Sequence, residues 1–555
     1  MHTSLGTRRL LWNIACWSIC LVILLPVIAI LGSLGQNSEG VWPHLVETVL
    51  AKYVFNSLML VLGVGVAGLI IGVSTAWLVT AYEFPFVRCF RWAIILPLAI
   101  PTYLTAYALT DLFQFSGPVQ TDLRQLFSWA KGDYWFPDLR TLYGAIIILT
   151  LGLYPYIFVA ARSGFLTLSE SIYESSRMLG LGPWQRFLRV AIPLCRPAIF
   201  AGLMLVLMES LAEFGAVEYC AVDTFSTGIY RTWTAHGSLA GAGQLSSCLL
   251  GFICLLFLVE CIARRKSRFY NPTLRSQGIR PTPLTGWRSW LAVIWCASPI
   301  GLGFLLPASR FAWLTWQHAD PRSLELFYEL SKNSLLVALI AAGITLLVGL
   351  TLAFIRHESR GEVTNIPIFL CGLGYAVPGT IVAIGIMTPI WWFEDRVCDF
   401  TETRYDWSPG LFLSGTILAM LLGYLIRFLA VPLNFLQAGL GRIPPSVEDA
   451  AANLGAGKIS RLVRVQIPLI RGTLVAAGLL VFVDVLKELP ATLVLRPFNF
   501  ETLAVRVYEL ASDERLSEAS TSALSIIIVG IIPVVLLARI IDQQKQHHFD
   551  INPKI

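Results

Sequence analysis

The sequence carries little charge, and this shortage argues against a soluble globular fold. Only 14 % of its 555 residues are Asp, Glu, Lys or Arg, whereas 56 % are hydrophobic. Soluble domains carry about 25 % charged residues, and so few charges cannot cover a surface that faces water. The composition therefore predicts a protein whose solvent is mainly lipid.

Three kinds of functional motif are also missing. The 11 cysteines form no CxxC pair, and Cys16 and Cys20 are expected to be small buried hydrophobic residues. The 7 histidines are dispersed, which argues against a polytopic membrane enzyme with a metal centre. No long basic tract contains interleaved aromatic residues, so the net charge of +6 does not indicate nucleic-acid binding.

A nucleotide-binding loop is absent as well. Residues 455–458 read Gly-Ala-Gly-Lys, which looks like part of a phosphate loop. The Walker pattern requires Gly five residues before Gly457 and Ser or Thr after Lys458. Those two positions hold Ala452 and Ile459. We therefore expect neither catalytic residues nor a bound cofactor in this chain.

Long charge-free apolar runs dominate the sequence instead. Crossing a bilayer takes roughly 20 apolar residues as a helix, and hydrocarbon offers the backbone no outside partner. The runs are Leu11–Leu34, Tyr53–Tyr82, Trp92–Thr110, Thr141–Ala161, Thr232–Val259, Ser289–Ser309, Asn333–Ile355, Val363–Phe393, Trp407–Ile426 and Ala519–Ala538. Two further spans are expected after Pro197 and Gly472. An all-α polytopic membrane protein with about twelve transmembrane helices is therefore predicted.

Basic residues predict how the spans are oriented. The segment Arg264–Arg288 holds seven Lys or Arg and no acidic residue, and such loops stay in the cytoplasm. Both termini are then cytoplasmic, and the protein is a multi-pass protein of the inner membrane. The first run is too long for a cleavable signal and is expected to be a retained span. Other basic residues on the same side are Arg8, Arg9, Arg356, Arg360 and Arg539.

The chain also repeats itself. Pro101 matches Pro378, 277 positions later, and Glu213 matches Glu488, 275 positions later. The repeat predicts a first half in residues 1–265, a cytoplasmic linker in 266–287 and a second half in 288–555. Each half holds six spans, so the two halves have the same orientation. Parallel repeats of this kind are typical of transporters with a central pathway.

One loop, in residues 167–196 and again in 435–471, is the most informative motif. In each copy an acidic residue and two small residues precede a glycine, and Ile-Pro-Leu follows. This pattern predicts two short helices joined by a glycine turn with positive φ, with proline starting the next span. The motif residues are Glu174, Ser175, Ser176, Gly180 and Gly182 in the first copy and Asp449, Ala450, Ala451, Gly455 and Gly457 in the second.

The loop resembles the EAA loop of ABC importer permeases. The first copy has serines where that pattern has alanines, and the second has Asp for Glu. The resemblance implies a type I ABC importer permease fold, in which the two loops are coupling loops seated on a separate ATPase subunit. Glu174 and Asp449 would face basic groups of the ATPase. Because both halves share one chain, two ATPase copies are implied, and they would use the ATP.

Acidic residues also lie inside two of the predicted spans. Glu209 and Glu213, and Asp484 and Glu488, are four residues apart, so each pair is expected to share one helix face. Charge at membrane depth usually faces a pathway or a partner.

Two interpretations of these carboxylates stay open. All four are candidate transient contacts for Fe³⁺, since oxygen ligands suit a hard cation. Alternatively they form structural pairs, for example Glu213 with Arg427. Further pathway or gate candidates are Lys487, Pro101 and Pro378, although the prolines could also be simple kinks.

Four segments resemble binding-protein-dependent ferric-iron permeases. They are Leu96–Pro101, Tyr375–Thr380, Lys487–Leu493 and Leu495–Ala504. The resemblance implies alternating access to Fe³⁺ delivered by a periplasmic binding protein. Permeases for thiamine, phosphonate or polyamine remain alternatives. A secondary transporter with two six-span halves is another, but Tyr82–Arg88 lacks the charged Gly-Asp-Gly-Arg type loop expected there.

Overall fold

The computed structural model describes residues 2–38, 40–130, 132–265, 281–318, 321–359, 362–372, 374 and 377–550. Nearly all regular structure in these residues is helical. The exception is one parallel pair of two-residue strands, β1 (Tyr82–Glu83) and β2 (Thr282–Pro283). The predicted all-α membrane fold is therefore confirmed.

The helices follow the two sequence halves. Those of the first half are α1 (His2–Ser33), α2 (Val41–Thr48), α3 (Leu50–Ala81), α4 (Val87–Ala93), α5 (Thr102–Phe113), α6 (Pro118–Phe127), α7 (Leu142–Leu166), α8 (Glu170–Met178), α9 (Pro183–Arg186), α10 (Ile192–Ala212), α11 (Gly215–Tyr219), α12 (Phe225–Thr234) and α13 (Leu239–Arg265).

Those of the second half are α14 (Trp287–Ile300), α15 (Leu306–Gln317), α16 (Pro321–Ser359), α17 (Glu362–Cys371), α18 (Gly379–Tyr405), α19 (Ile417–Phe428), α20 (Ala430–Leu440), α21 (Pro445–Asn453), α22 (Lys458–Arg461), α23 (Ile467–Leu469), α24 (Arg471–Leu486), α25 (Pro490–Leu495), α26 (Leu503–Ser512) and α27 (Leu516–Asp550). A 3₁₀ turn (Leu96–Ala99) and π-helical turns (Phe187–Ala191, Gly301–Leu305 and Leu462–Gln466) continue some of them.

Eight helices of the described residues are long and apolar enough to cross a membrane, and eleven spans result if three bent helix pairs each count as one. The bends are 91° at Pro101, 48° at Leu429 and 78° at Ile470. The predicted run Val363–Phe393 is not among the eleven. It contains residues 373, 375 and 376, which lie outside the described part of the chain, as does most of the predicted linker 266–287.

The chain divides into two compact units. Unit 1 comprises Met1–Leu45, Gly228–Leu250 and Asp320–Glu509, and unit 2 comprises Val46–Thr227, Gly251–Ala319 and Leu510–Ile555. Each unit thus combines the middle of one sequence half with end segments of the other. The boundaries 1–265 and 288–555 stay a prediction about the duplicated sequence and are not the boundaries of these units.

Small residues bring the central helices of each unit together. In unit 2 a Cβ atom on Gly72 of α3 would lie 2.8 Å from Ile157 Cβ of α7, and one on Gly202 of α10 would lie 2.9 Å from Ile157 Cα. In unit 1, Gly349 of α16 approaches Pro432 of α20 in the same way, at 3.2 Å. Such contacts let backbones pack closely where lipid removes the hydrophobic driving force.

Each unit also contains the first span of the other half. In unit 1, α1 packs on α18, where a Cβ on Gly385 would lie 2.6 Å from Pro26. In unit 2, the span formed by α14 and α15 packs on α5, and Arg310 Nε lies 2.6 Å from Asp111 Oδ2. These contacts explain why the units do not follow the linear halves.

Candidate functional site

The glycine turn of each coupling loop has the same backbone geometry. Gly180 has φ of 78° and Gly455 has φ of 80°, as the repeated glycine predicts. The Leu181 N–H donates to the Ser176 carbonyl at 3.2 Å, and the Ala456 N–H donates to the Ala451 carbonyl at 3.1 Å. These bonds are the 6→1 closure of a Schellman motif, which ends α8 and α21 in the same way.

The second glycine of each loop starts the next helix. Gly182 (φ −65°, ψ 164°) precedes α9, and Gly457 (φ −65°, ψ 165°) precedes α22. A π-helical turn follows in both loops, at 187–191 and 462–466. Sequence reasoning did not predict these π turns, which usually occur as single turns and are frequent at functional sites. The two coupling loops therefore have the same backbone conformation.

The tips of the two coupling loops carry exposed acidic and apolar side chains. Glu174, Ser175, Asp449 and Ala450 are exposed, whereas Ser176 is buried. Large apolar side chains are exposed as well: Met178 89 %, Leu179 81 %, Trp184 69 %, Leu454 89 % and Ile459 74 %. Sequence reasoning missed these residues, although Leu179 and Leu454 stand at equivalent repeat positions. Together they form an exposed apolar and acidic surface.

Aromatic packing attaches the first coupling loop to α3. The Trp77 ring lies 6.0 Å from the Tyr173 ring of α8 and 5.3 Å from the Phe187 ring. Arg186 stacks over Tyr173, with its guanidinium carbon 4.7 Å from the ring centroid. Burial raises the pKa of the Tyr173 phenol, so this ring stays neutral.

Ion pairs attach the second coupling loop to α16. Glu358, whose side chain is 8 % exposed, forms ion pairs with Lys458 at 3.1 Å and with Arg461 at 3.0 Å. Next to it, His357 Nε2 lies 2.5 Å from Glu448 Oε1 of α21. The two loops thus have the same backbone conformation but are anchored by different side-chain interactions.

The first of the acidic pairs lies at a helix break in unit 2. α10 ends at Ala212, and Glu213 leaves the helix with ψ of 130°. Its carboxylate accepts the Ala216 N–H at 3.0 Å and the Thr102 hydroxyl at 2.5 Å. Glu213 therefore caps the start of α11, because it satisfies a backbone donor that the break leaves without a helical partner.

The second pair lies at the equivalent break in unit 1. α24 ends at Leu486, and the Glu488 carboxylate accepts the Ala491 N–H of α25 at 3.1 Å. Arg427 Nη1 donates to the same carboxylate oxygen at 3.1 Å, and Glu488 is 5 % exposed. Here the cap is part of a buried ion pair.

One expectation about these carboxylates is wrong. Only Glu209 and Asp484 lie inside helices, so neither pair shares one helix face. The reason is that Glu213 and Glu488 bond the amide three residues ahead in the next helix. Arg427 pairs with Glu488 at 3.1 Å, and the example pairing of Glu213 with Arg427 stays a prediction. Lys487 pairs with Asp484 at 2.9 Å.

The two candidate prolines lie at helix starts. Pro101 precedes α5 with φ −54° and ψ 141°, and Pro378 precedes α18 with φ −54° and ψ 146°. Among the described residues, no group of three or more His, Cys, Asp or Glu is arranged to hold a metal ion. Transient cargo contact by Glu209, Glu213, Asp484 or Glu488 stays a prediction.

A cavity of about 410 Å³ opens in unit 1 beside the segment that resembles ferric-iron permeases. Arg496, Phe498 and Glu501 of that segment form part of its wall, and Trp233 and Trp391 form another part. The segment Leu495–Ala504 therefore lines a cavity, in addition to packing in the core.

Comparisons with known proteins agree with this geometry. Residues 68–268 match the family described as binding-protein-dependent transport system inner membrane component. The chain is 24 % identical over 497 residues to the Fe(3+)-transport system permease protein FbpB 2 of Haemophilus influenzae, covering 88 % of this chain and 90 % of the relative.

Two further relatives cover different shares of the chain. It is 24 % identical to the ferric transport system permease protein FbpB of Actinobacillus pleuropneumoniae, over 93 % of this chain and 75 % of the relative. It is 27 % identical to the sulfate transport system permease protein CysT of Escherichia coli, over 48 % of this chain and 93 % of the relative. The family match over residues 68–268, the near-full-length relatives and the apolar helices support a multi-pass ABC importer permease of the inner membrane with two fused halves.

Proposed function

We propose that this permease carries ferric iron, delivered by a periplasmic binding protein, into the cytoplasm. The observation that carries the proposal is the coverage of the relatives. Those named for Fe(3+) or ferric transport match 88 % to 93 % of this chain, across both halves. The sulfate permease matches 48 %, which is about one half of the fused chain. The similarity of both halves together thus favours a ferric permease.

The two coupling loops support a role for a separate ATPase in driving transport. Each loop offers an exposed acidic residue and an exposed leucine beside a rigid glycine turn, a surface suited to a groove with apolar and basic groups. Two such loops in one chain call for two ATPase copies. ATP is hydrolysed by those subunits, and this chain binds no cofactor. The loops and both termini then lie on the cytoplasmic side.

The helix breaks suit a pathway that alternates between two openings. Closure of the ATPase pair would draw the coupling loops together and open the pathway outward, and hydrolysis would return it to the inward-facing state. A broken span lets its two parts move separately, since no continuous ladder of hydrogen bonds joins them. Pro101, Pro378, Glu213 and Glu488 mark the places where the spans start or break.

Sulfate is the second candidate cargo, because the CysT relative covers 93 % of its own length at 27 % identity. Membrane vesicles that contain the permease, the ATPase and one candidate binding protein at a time test the choice. We expect ATP-dependent uptake of Fe³⁺ and none of sulfate, thiamine, phosphonate or a polyamine. Uptake of sulfate without uptake of Fe³⁺ would refute the ferric assignment.

A further inference from the structure

At the helix break of each half, two residues lie against each other, and both of them differ between the repeats. Thr102 of the first half corresponds to Gly379 of the second, and Gly152 corresponds to Arg427. The register is supported by packing: a Cβ on Gly164 would lie 3.0 Å from Ala198, and one on Gly439 would lie 3.2 Å from Thr473. Both members of that second contact are 275 positions after those of the first.

In the first half the donor to the carboxylate comes from α5. The Thr102 hydroxyl donates to Glu213 at 2.5 Å. A Cβ added to Gly152 of α7 would lie 2.8 Å from Thr102 Cγ2. Glycine at position 152 therefore makes room for the threonine that holds the carboxylate.

In the second half the donor comes from the other helix. Arg427 of α19 donates to Glu488 at 3.1 Å. A Cβ added to Gly379 of α18 would collide with Arg427 Nη1 and would lie 2.6 Å from Glu488 Oε1. Glycine at position 379 therefore makes room for the arginine. The helix that supplies the donor side chain in one half carries glycine in the other half. The carboxylate has a side-chain donor in both halves.

We propose that Thr102 and Arg427 are positioning residues for transport, each holding its carboxylate at the break so that the carboxylate caps the next helix. The inference rests on the proposed importer function and deepens it. Two unrelated side-chain donors reach equivalent carboxylates from different helices, Thr102 at Glu213 Oε2 and Arg427 at Glu488 Oε1, so the common requirement is a side-chain donor to the carboxylate. The task of Glu213 and Glu488 is then to fix the break, and they do not serve as ligands of the cargo.

An exchange of the two arrangements tests this directly. In unit 1, Gly379→Thr alone places a side chain against Arg427, and Arg427→Gly alone removes the arginine donor from a buried carboxylate that still accepts the Ala491 N–H. The double variant Gly379→Thr/Arg427→Gly recreates the arrangement of the first half. We expect each single change to lower the maximal uptake rate roughly tenfold or more, and the double variant to recover to within about threefold of wild type.

The reciprocal exchange is made in unit 2, with Thr102→Gly, Gly152→Arg and their combination. The matched control is Gly343→Thr, also in a helix, where an added Cβ meets nothing within 4 Å. It should leave uptake unchanged. Thermal unfolding of the purified permease is measured for every variant as a readout that needs no cargo.

Two kinetic outcomes separate positioning from ligation. Positioning predicts that the single variants lower kcat while the KM for cargo-loaded binding protein stays constant. A raised KM at constant kcat would overturn the proposal, as would double variants no better than the worse single in uptake and in thermal unfolding. If wild type itself takes up no Fe³⁺, the ferric assignment fails, and the unfolding temperatures still decide whether the exchange is compensating.

Discussion

Glu448 occupies in the second coupling loop the position that Tyr173 occupies in the first, and the two residues anchor their loops by different chemistry. Tyr173 packs in an aromatic group around Trp77, whereas Glu448 lies 2.5 Å from His357. The neighbouring Glu358 completes the ionic anchor with Lys458 and Arg461. Salt screens charges and leaves aromatic packing nearly unaffected, so the two loops should respond differently to ionic strength.

The ionic anchor gives the first prediction. Glu358→Gln leaves Lys458 and Arg461 without a carboxylate, and breaking a buried pair costs about 3–5 kcal/mol. The loss should fall below that range because the Lys458 side chain is 40 % exposed. We expect the second coupling loop to become more sensitive to limited proteolysis, and high salt to produce the same effect in wild type.

The control is Glu518→Gln. Its partner Arg515 and Glu518 itself are about half exposed, and such surface pairs contribute roughly 0–1 kcal/mol. Equal proteolysis of the first and second loops in Glu358→Gln would contradict the ionic anchor.

The glycine turns give the second prediction. Gly180→Ala and Gly455→Ala place an L side chain at φ near +80°, which costs about 1–2 kcal/mol per residue. The added Cβ meets nothing within 4 Å at either site, so the effect is backbone strain alone. Bulky residues at both positions together should abolish transport by uncoupling the ATPase.

Gly182→Ala and Gly457→Ala are matched controls for the turns. These glycines have φ of −65° and equally open surroundings, so both variants should transport normally. Normal uptake and normal ATPase binding in the bulky Gly180 and Gly455 double variant would contradict the role of the turns.

The exposed leucines give the third prediction. Leu179→Asp and Leu454→Asp change side chains that are 81 % and 89 % exposed, so the permease should fold as before. We expect the double variant to lose co-purification with the ATPase, because an apolar anchor is replaced by a hydrated charge. Leu126→Asp, at a side chain 76 % exposed outside the coupling loops, should retain the ATPase. Retention by the double variant would count against these leucines as anchors.

A buried carboxylate beyond the predicted apolar run 363–393 gives the fourth prediction. Glu394 is 2 % exposed and accepts the Ser414 hydroxyl at 2.7 Å and the Ser414 N–H at 2.8 Å. Burial raises the pKa of its carboxyl, but these hydrogen bonds outweigh burial and hold the pKa below its ordinary value. The ionised form therefore stabilises the fold above the ordinary pKa, and this contribution is lost as pH falls through the lowered one.

Thermal unfolding against pH measures this contribution. Glu394→Gln should lower the unfolding temperature at neutral pH, and the difference from wild type should shrink in acid. Asp395→Asn, at the exposed neighbouring residue, should change little at any pH. A constant difference between Glu394→Gln and wild type across the acid range would contradict the assignment.

The sequence predicted the spans and the glycine turns because both depend on local patterns. An apolar run determines a span, and a glycine such as Gly180 determines the turn in which it lies. The caps at Glu213 and Glu488 were not predictable in the same way. A spacing of four residues fits one helix face, and it equally fits a helix that ends just before the second acid. The packing of α1 of the first half on α18 of the second, where Pro26 contacts Gly385, is a tertiary contact. Local hydrophobic periodicity does not predict such a contact. The replacement of Gly152 in the first half by Arg427 in the second has no local sequence pattern, because its meaning depends on the distance from Arg427 to Glu488.

The central claim is that an ATPase reaches both coupling loops from the cytoplasm. Its most direct test is labelling of Met178→Cys and Asn453→Cys with a membrane-impermeant thiol reagent, after the exposed Cys89 and Cys254 are changed to Ser. We predict that both positions react only in inside-out vesicles, and that bound ATPase protects them. Reaction from outside intact cells would place the loops beyond the reach of any ATPase and would contradict the account.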